Sequence, residues 1–300
     1  MAGFRPLLAA TIEDGGDLEK LNYPLIASPK VDGIRIVCHP TMGPVTRSLK
    51  PLRNKHAWSI LKEPVYAGFD GEIVVGPITA PDVFQRTTSG VMTMDGTPSF
   101  TYWVFDDCTD SFMPYNRRHR QLQDRVQETW KSIATEIQVL PWLMVHNPAE
   151  VLQAEIMCLS QGFEGIMLRS RNGVYKWGRS TLKEQTLMKL KRFKDGEAVI
   201  IGFEPLQRNQ NPQTRDERGY AHRSDHKEGK VQVETLGNLL VRSDEFGEFA
   251  IGSGFDASTR EAIWLGRDSY LGSRVTFKFQ PIGIKDKPRF PIFKGFRPAE

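Results

Sequence analysis

Apolar residues along this chain come in short runs bounded by Gly, Pro or Asp. Ile34–Cys38, Ile73–Val75, Tyr102–Phe105, Ile166–Leu168, Leu187–Leu190 and Val199–Phe203 are rich in β-branched and aromatic side chains, which predicts strands. Two stretches have helical spacing instead. Asn116–Ala134 is strongly charged, with Leu122, Val126, Trp130 and Ile133 three to four positions apart, and predicts an amphipathic surface helix. Asn147–Gly162 begins with a capping Asn147, Pro148 at the first helical position and Glu150 three residues after the cap, and Gly162 suits its exit. From about Phe193 the character changes. Val231–Glu234, Asn238–Arg242, Glu248–Ile251 and Arg274–Gln280 predict strands joined by Gly-containing turns, with one helix, Ala257–Leu265, among them. Strands in that number around one helix suggest a small β-barrel. Within this region Gln207–Lys230 is polar, almost without aliphatic residues, and is expected as a long flexible loop.

Length, composition and charge narrow the picture. At 300 residues, about two domains are expected. The chain is 39% hydrophobic and 25% charged, the composition of a globular protein rather than a disordered one. Forty Lys and Arg against 36 Asp and Glu give a net charge of +4, which permits a nucleic-acid partner without requiring one, because clustering matters more than the sum. No apolar run is long enough to span a membrane. The N-terminus is broken by Arg5, Pro6, Glu13, Asp14 and Asp17 and has no secretory apolar region. Three distant cysteines, Cys38, Cys108 and Cys158, read as buried thiols in a reducing compartment rather than a disulfide framework or zinc site.

Four segments carry candidate chemistry. In Lys30-Val31-Asp32-Gly33-Ile34-Arg35 a lysine stands at a turn where its amine can meet a phosphate; alone, the segment reads rather as a turn with a solvated lysine. Phe69-Asp70-Gly71-Glu72-Ile73-Val74-Val75 opens a strand with carboxylates suited to sugar hydroxyls or a metal, or forms an Asp-Gly turn. Glu164-Gly165-Ile166-Met167-Leu168-Arg169 again sets an acid before a strand. In Met188-Lys189-Leu190-Lys191-Arg192, alternation puts Lys189 and Lys191 on one face, where either water or a phosphate relieves their repulsion.

Taken in order, K-V-D-G-I-R, T-R-S-L-K-P-L-R-N, F-D-G-E-I-V-V, Y-W-V-F-D, E-G-I-M-L-R and L-M-K-L-K-R resemble the nucleotidyltransferase motifs of the ATP-dependent DNA ligases, whose superfamily also holds RNA ligases and mRNA-capping enzymes. Gly252-Ser253-Gly254-Phe255, Gly272–Phe279 and Pro288–Arg297 resemble the OB-fold domain of small bacterial, phage and viral DNA ligases, so the resemblance runs from about Tyr23 to Arg297. It implies an α+β protein: a nucleotidyltransferase (adenylation) domain of antiparallel sheets with flanking helices over 1–193, followed by a C-terminal OB-fold β-barrel over 194–300 with a long basic loop at about 207–230. With Lys30 only thirty residues in, no separate N-terminal DNA-binding domain is expected.

The resemblance also assigns roles. Lys30 is implied as the nucleophile that takes AMP from ATP. Arg35 lies near the sugar and acceptor phosphate, and Arg47 near the 5′-phosphate of the nick. Glu72 binds the ribose hydroxyls, Phe105 stacks on adenine with Tyr102 and Trp103 as neighbouring alternatives, and Lys189 and Lys191 contact the α-phosphate. Glu164 is the metal-associated acid, with Glu72 and Asp32 beside it for Mg²⁺. Ser28 stands where many relatives have Glu. Arg289, Lys294 and Arg297 are the candidates for assisting adenylylation. Arg208, Arg218 and Arg223 of the polar segment are candidate contacts to DNA, whereas Arg117-Arg118-His119-Arg120 reads as charge on a helix surface. The implied partner is nicked duplex DNA, handled by a monomer in the cytoplasm of a bacterial or phage-infected cell. The alternatives are an RNA ligase or capping-type enzyme, and a non-catalytic OB-containing nucleic-acid binder.

Overall fold

The computed structural model describes residues 3–13, 15–130, 136–190, 193–215, 221–224, 226–280 and 286–297. The chain divides into two compact units, Met1–Arg192 and Phe193–Glu300.

The first unit is built on two five-stranded sheets. One has the order β1-β10-β9-β2-β8, from β1 (Ala10–Ile12), β2 (Leu25–Pro29), β8 (Leu143–Val145), β9 (Ile166–Ser170) and β10 (Leu187–Leu190). The other has the order β4-β3-β5-β6-β7, from β3 (Ile34–His39), β4 (Gly43–Thr46), β5 (Phe69–Val74), β6 (Thr101–Asp107) and β7 (Glu136–Val139). Pairing is antiparallel except for β1 with β10 and β6 with β7. Helix α4 (Pro148–Ser160) packs Val151, Ala154 and Cys158 against Leu25, Ala27, Ile166 and Leu168 of the first sheet. Helices α1 (Lys55–Leu61) and α3 (Tyr115–Trp130) cover the second, where Ala57, Leu61, Leu122 and Val126 meet Ile36, Ile73 and Val104. Helix α2 (Val83–Val91) lies between β5 and β6 in sequence. Each fully buried Leu, Ile or Phe of these cores contributes about 1.5–3 kcal/mol.

Local signals account for the element ends. Asn147 caps α4 by accepting a hydrogen bond from the Glu150 N–H at 2.9 Å, Pro148 opens the helix, and Gly162 follows it at φ +93°. At Gly33 the reason is space: a Cβ there would lie 2.5 Å from the Ile73 carbonyl oxygen, so a side chain would push β3 away from β5.

The basic run in α3 is surface charge only at Arg117 and Arg120. Arg118 is 2% and His119 3% exposed, because Asp106 on β6 draws the guanidinium inward. The three cysteines are free and buried, and burial pushes the Cys38 thiol up to about 12 and raises Cys108 and Cys158 as well.

The second unit contains one sheet of order β15-β14-β11-β16-β17, from β11 (Lys194–Asn209), β14 (Lys230–Ser243), β15 (Gly247–Ile251), β16 (Arg274–Gln280) and β17 (Arg289–Phe296). Helices α5 (Ala257–Leu265) and α6 (Arg267–Tyr270) follow β15. Ile263 of α5 joins Leu239, Val241, Phe277 and Phe293 in the core. Among the described residues the ladder does not close into a ring, and the segment after β15 meets β17 in one isolated bridge, Ser253 with Ile292. The Phe293 N–H donates to the Ser253 carbonyl at 2.9 Å, and Phe255 stacks on Phe293 at 4.6 Å. Gly254, at φ +93°, leaves room here, since a Cβ would meet the Phe293 carbonyl oxygen at 2.3 Å. The Gly252–Phe255 and Pro288–Arg297 motifs are therefore the two sides of this junction.

The expected flexible loop at 207–230 is largely regular among its described residues. The β11–β14 ladder runs on to Asn209 opposite Lys230, and a hairpin of β12 (Gln213–Arg215) and β13 (Ala221–Arg223) projects beyond it. Backbone pairing is indifferent to side-chain polarity, and the register shifts on either side of Pro205 accommodate the proline. Asn211 replaces an apolar core, its amide donating to the Ser224 and His226 carbonyls at 2.8 and 2.9 Å.

Candidate active site

Strand β2 delivers Lys30 to one end of the first sheet. Pro29 pairs with Ile166; then the Lys30 N–H donates to the Gly165 carbonyl at 2.9 Å, and the Lys30 carbonyl accepts from the Glu164 N–H at 3.2 Å. This reciprocal pair brings the two side chains together, with Lys30 Nζ 2.5 Å from Glu164 Oε2. The Lys30 side chain keeps 23% exposure and Glu164 only 6%, so the amine is reachable from outside while the acid is shielded. Lys189 pairs with Met167 on β9 and Thr11 on β1, which sets it beside this couple. Its ammonium is held below the usual lysine range, first by desolvation, then by repulsion from Lys30 and Arg179, with Glu164 opposing and Arg47 adding. Two neighbouring cations, Lys189 of them desolvated, suit an anion.

The second sheet contributes Glu72, opposite Arg35 on β3 and Trp103 on β6. Burial pushes its carboxyl up to about 8; Lys30 and Arg35 pull it down, whereas Asp70 and Asp32 push it further up. Glu72 Oε2 is buried with no hydrogen-bond partner. A buried oxygen without a partner is costly, and a ligand hydroxyl would satisfy it. Asp32, half-buried in the turn between β2 and β3, lies within electrostatic reach of Glu72.

Arg35 is committed to a buried acid. Its Nε and Nη2 bind Asp70 at 2.8 and 2.6 Å, Nη1 donates to the Leu7 carbonyl at 2.7 Å, and the Tyr175 hydroxyl donates to the same carboxylate at 2.7 Å. Phe105 on β6 is half-buried, with the guanidiniums of Arg35 and Arg169 at 5.4 and 5.3 Å from its ring centre. Tyr102 points into the core, its hydroxyl within hydrogen-bond distance of the Ile36 and Phe69 carbonyls, whereas Trp103 and Phe105 both pack against the first core; of these two, Phe105 has the Arg35 guanidinium beside its ring. Ser28 is buried on β2, opposite Met167. Arg47 is exposed in the turn after β4.

In the second unit, Arg208 is exposed on β11 opposite Val231, and Arg223 on β13 donates to the Asn209 carbonyl at 2.9 Å. Lys294 pairs with Asp195 at 2.7 Å, Arg297 pairs with Glu197, and Arg289 lies opposite Gln280. Lys191 and Arg218 lie outside the described residues.

Sequence reasoning missed Asp70, Asp106, Tyr115, Arg118, Arg169 and Arg179. Both aspartates stand inside motifs already singled out, but partners 35 and 63 positions away leave no local signal. Among the described residues no three of His, Cys, Asp and Glu converge to hold a metal by themselves, and no helix is long and apolar enough to cross a membrane.

Comparison with known proteins places this geometry. A family model described as ATP dependent DNA ligase domain matches residues 6–191, and one described as DNA ligase OB-like domain matches 228–297. The chain is similar to the DNA ligase of Haemophilus influenzae, 26% identical over 159 residues, which are 53% of this chain and 47% of that protein; the match thus spans about half the length of that relative. Among solved structures, the DNA ligase-adenylate of Chlorella virus is 36% identical, with 99% of this chain and 100% of that one covered and a TM-score of 0.56. A Lig E DNA ligase, 23% identical with 97% and 98% coverage and a TM-score of 0.66, shares the fold. The first model covers more than half of the chain and the second covers most of the second unit, and the chain belongs to the ATP-dependent DNA ligase family.

Proposed function

We propose that this protein seals nicks in duplex DNA with ATP, and that 1–193 performs adenylation while 194–300 is the OB domain. The observation that carries the reading is the convergence of Lys30, Glu164 and Lys189 in the first sheet, with the unsatisfied oxygen of Glu72 within electrostatic reach of Lys30. The residues fit a nucleoside triphosphate: cations for its phosphates, an acceptor for a ribose hydroxyl and an aromatic ring for its base.

Lys30 Nζ attacks the α-phosphorus of ATP. An N–P bond forms as the bond to pyrophosphate breaks, and the amine proton passes to Glu164, the acceptor 2.5 Å away. Lys189, with Lys191 beyond it, offsets the charge that gathers on the phosphate oxygens. Lys30 then yields AMP to the 5′-phosphate at the nick, positioned by Arg47 and Arg35, and regains its amine. The 3′-hydroxyl attacks that phosphorus, the bond to AMP breaks and the strand is continuous. Glu164, with Glu72 and Asp32 at hand, would hold Mg²⁺, since one or two carboxylates plus phosphate oxygens suffice for this ion. When bound, it neutralises phosphate charge. Arg208, Arg218 and Arg223 contact the duplex backbone.

The test is incubation with α-labelled ATP and Mg²⁺. Wild-type protein acquires label and Lys30→Ala does not; a labelled Lys30→Ala variant overturns the nucleophile. GTP in place of ATP, and nicked RNA in place of nicked DNA, are expected to be poor substrates. A preference for either moves the reading to a capping-type enzyme or an RNA ligase, and binding of nicked DNA without label moves it to a non-catalytic binder.

A further inference from the structure

The neighbourhood of Phe105 contains more machinery than the reaction above uses. On β6, Asp106 pairs with Asp70 of β5, but the next pair along is Val104 with Gly71. Phe105 falls between them as the extra residue of a bulge, and the β7 ladder on its other side ends at Val104. It therefore has no register partner on either neighbouring strand. Bulges re-aim a side chain at the cost of leaving a backbone group to be satisfied elsewhere. That need is met by Tyr115, at the start of α3, whose hydroxyl donates to the Phe105 carbonyl at 3.0 Å.

Tyr115 is itself fixed. It is 3% exposed, and its backbone N–H donates to the Gly173 carbonyl at 2.9 Å. The Arg169 and Arg118 guanidiniums lie 4.7 and 5.5 Å from its ring centre. Both are locked by the fully buried Asp106, at 2.6 Å to Arg169 and 2.8 Å to Arg118. Arg169 also lies against the Phe105 ring. The ring and the carbonyl of Phe105 are thus held by one buried cluster drawn from β6, β9 and α3.

We propose that Tyr115 is a positioning residue for the adenine-stacking Phe105, holding the β6 bulge that aims the ring and thereby setting the affinity for the base of ATP. This rests on the reading of Phe105 as the stacking aromatic. Tyr115 touches no reacting atom, so its loss should act on ATP binding and leave the chemical step at saturating ATP unchanged.

The experiment is a double-mutant cycle on Lys30 adenylylation, followed with α-labelled ATP over a range of concentrations. Tyr115→Phe removes one hydroxyl and keeps the ring, and melting temperatures of all variants verify that each is folded. The expected result is a KM for ATP raised about three- to tenfold by Tyr115→Phe, the size of one hydrogen bond, with kcat within about twofold of wild type. Phe105→Leu raises KM further, and adding Tyr115→Phe to it changes KM little, because the group being positioned is gone. A KM unmoved by Tyr115→Phe, a loss confined to kcat, or an equal effect in both backgrounds overturns the positioning role while leaving Phe105 in place. An unchanged KM in Phe105→Leu overturns the stacking assignment, and the positioning role with it.

Discussion

Glu72 shows how much a single carboxyl is altered by its setting. Burial raises its pKa from 4.5 to about 8, so between those values the folded state binds a proton that the unfolded chain releases. Its contribution to stability is present in full below about pH 4.5 and is lost as pH rises toward 8. Removing the titration should reverse that loss: Glu72→Gln is expected to melt higher than wild type at about pH 8 without nucleotide, and to lose this advantage at about pH 4. Scanning calorimetry at the two pH values checks it, and an advantage equal at both would refute the assignment. At this scale the sequence was informative about residue types. Lys30, Glu72, Glu164 and Lys189 were singled out as candidates from the sequence because each stands near a glycine or within an apolar run. Asp70 and Asp106 were not, because a buried acid is identified by the arginine it meets, and Arg35, Arg118 and Arg169 lie 35, 12 and 63 residues away.

Strand β6 shows the same limit for an element. Its apolar run predicts a strand over Tyr102–Phe105, and the structure extends it to Thr101–Asp107. The bulge at Phe105 has no sequence signature, since Phe and Asp are ordinary strand-end residues. The cluster beneath it should dominate local stability. Asp106→Asn leaves two buried guanidiniums without a counter-charge, and unfolding in urea is expected to show a loss of about 3–5 kcal/mol. A loss below about 1 kcal/mol would mean that water reaches the arginines. Helix α4 was legible because its start signals, Asn147 and Pro148, are local. Residues 207–230 were misread because hydropathy reports burial, and this extension of β11 and β14 is a backbone ladder with little to bury. Arg118 was misread for the converse reason: its neighbours Arg117 and Arg120 are solvated, and the periodicity of α3 alone does not reveal an acid waiting on β6.

At the scale of the molecule, the net charge of +4 averages over unlike regions, among them the acids Asp32, Glu72 and Glu164 of the candidate site. If Arg208 and Arg223 contact backbone phosphates, the affinity for a nicked duplex should fall with salt, and each replacement by Gln should flatten the log–log slope by about 1. Titrations at several salt concentrations measure this, and slopes identical to wild type would remove these residues from the interface. Family membership was legible at this scale because the motifs are strand ends whose order the chain itself preserves. The bridge between Ser253 and Ile292 was foreshadowed by the two motifs that form it, but not their mutual contact. The cysteines have a practical consequence. All three thiols are free, buried and disfavoured as thiolates, so the native protein is nearly inert to thiol reagents. A single cysteine introduced on the β12–β13 hairpin would take a fluorescent dye selectively, turning an unmodified background into a reporter of the hairpin's surroundings.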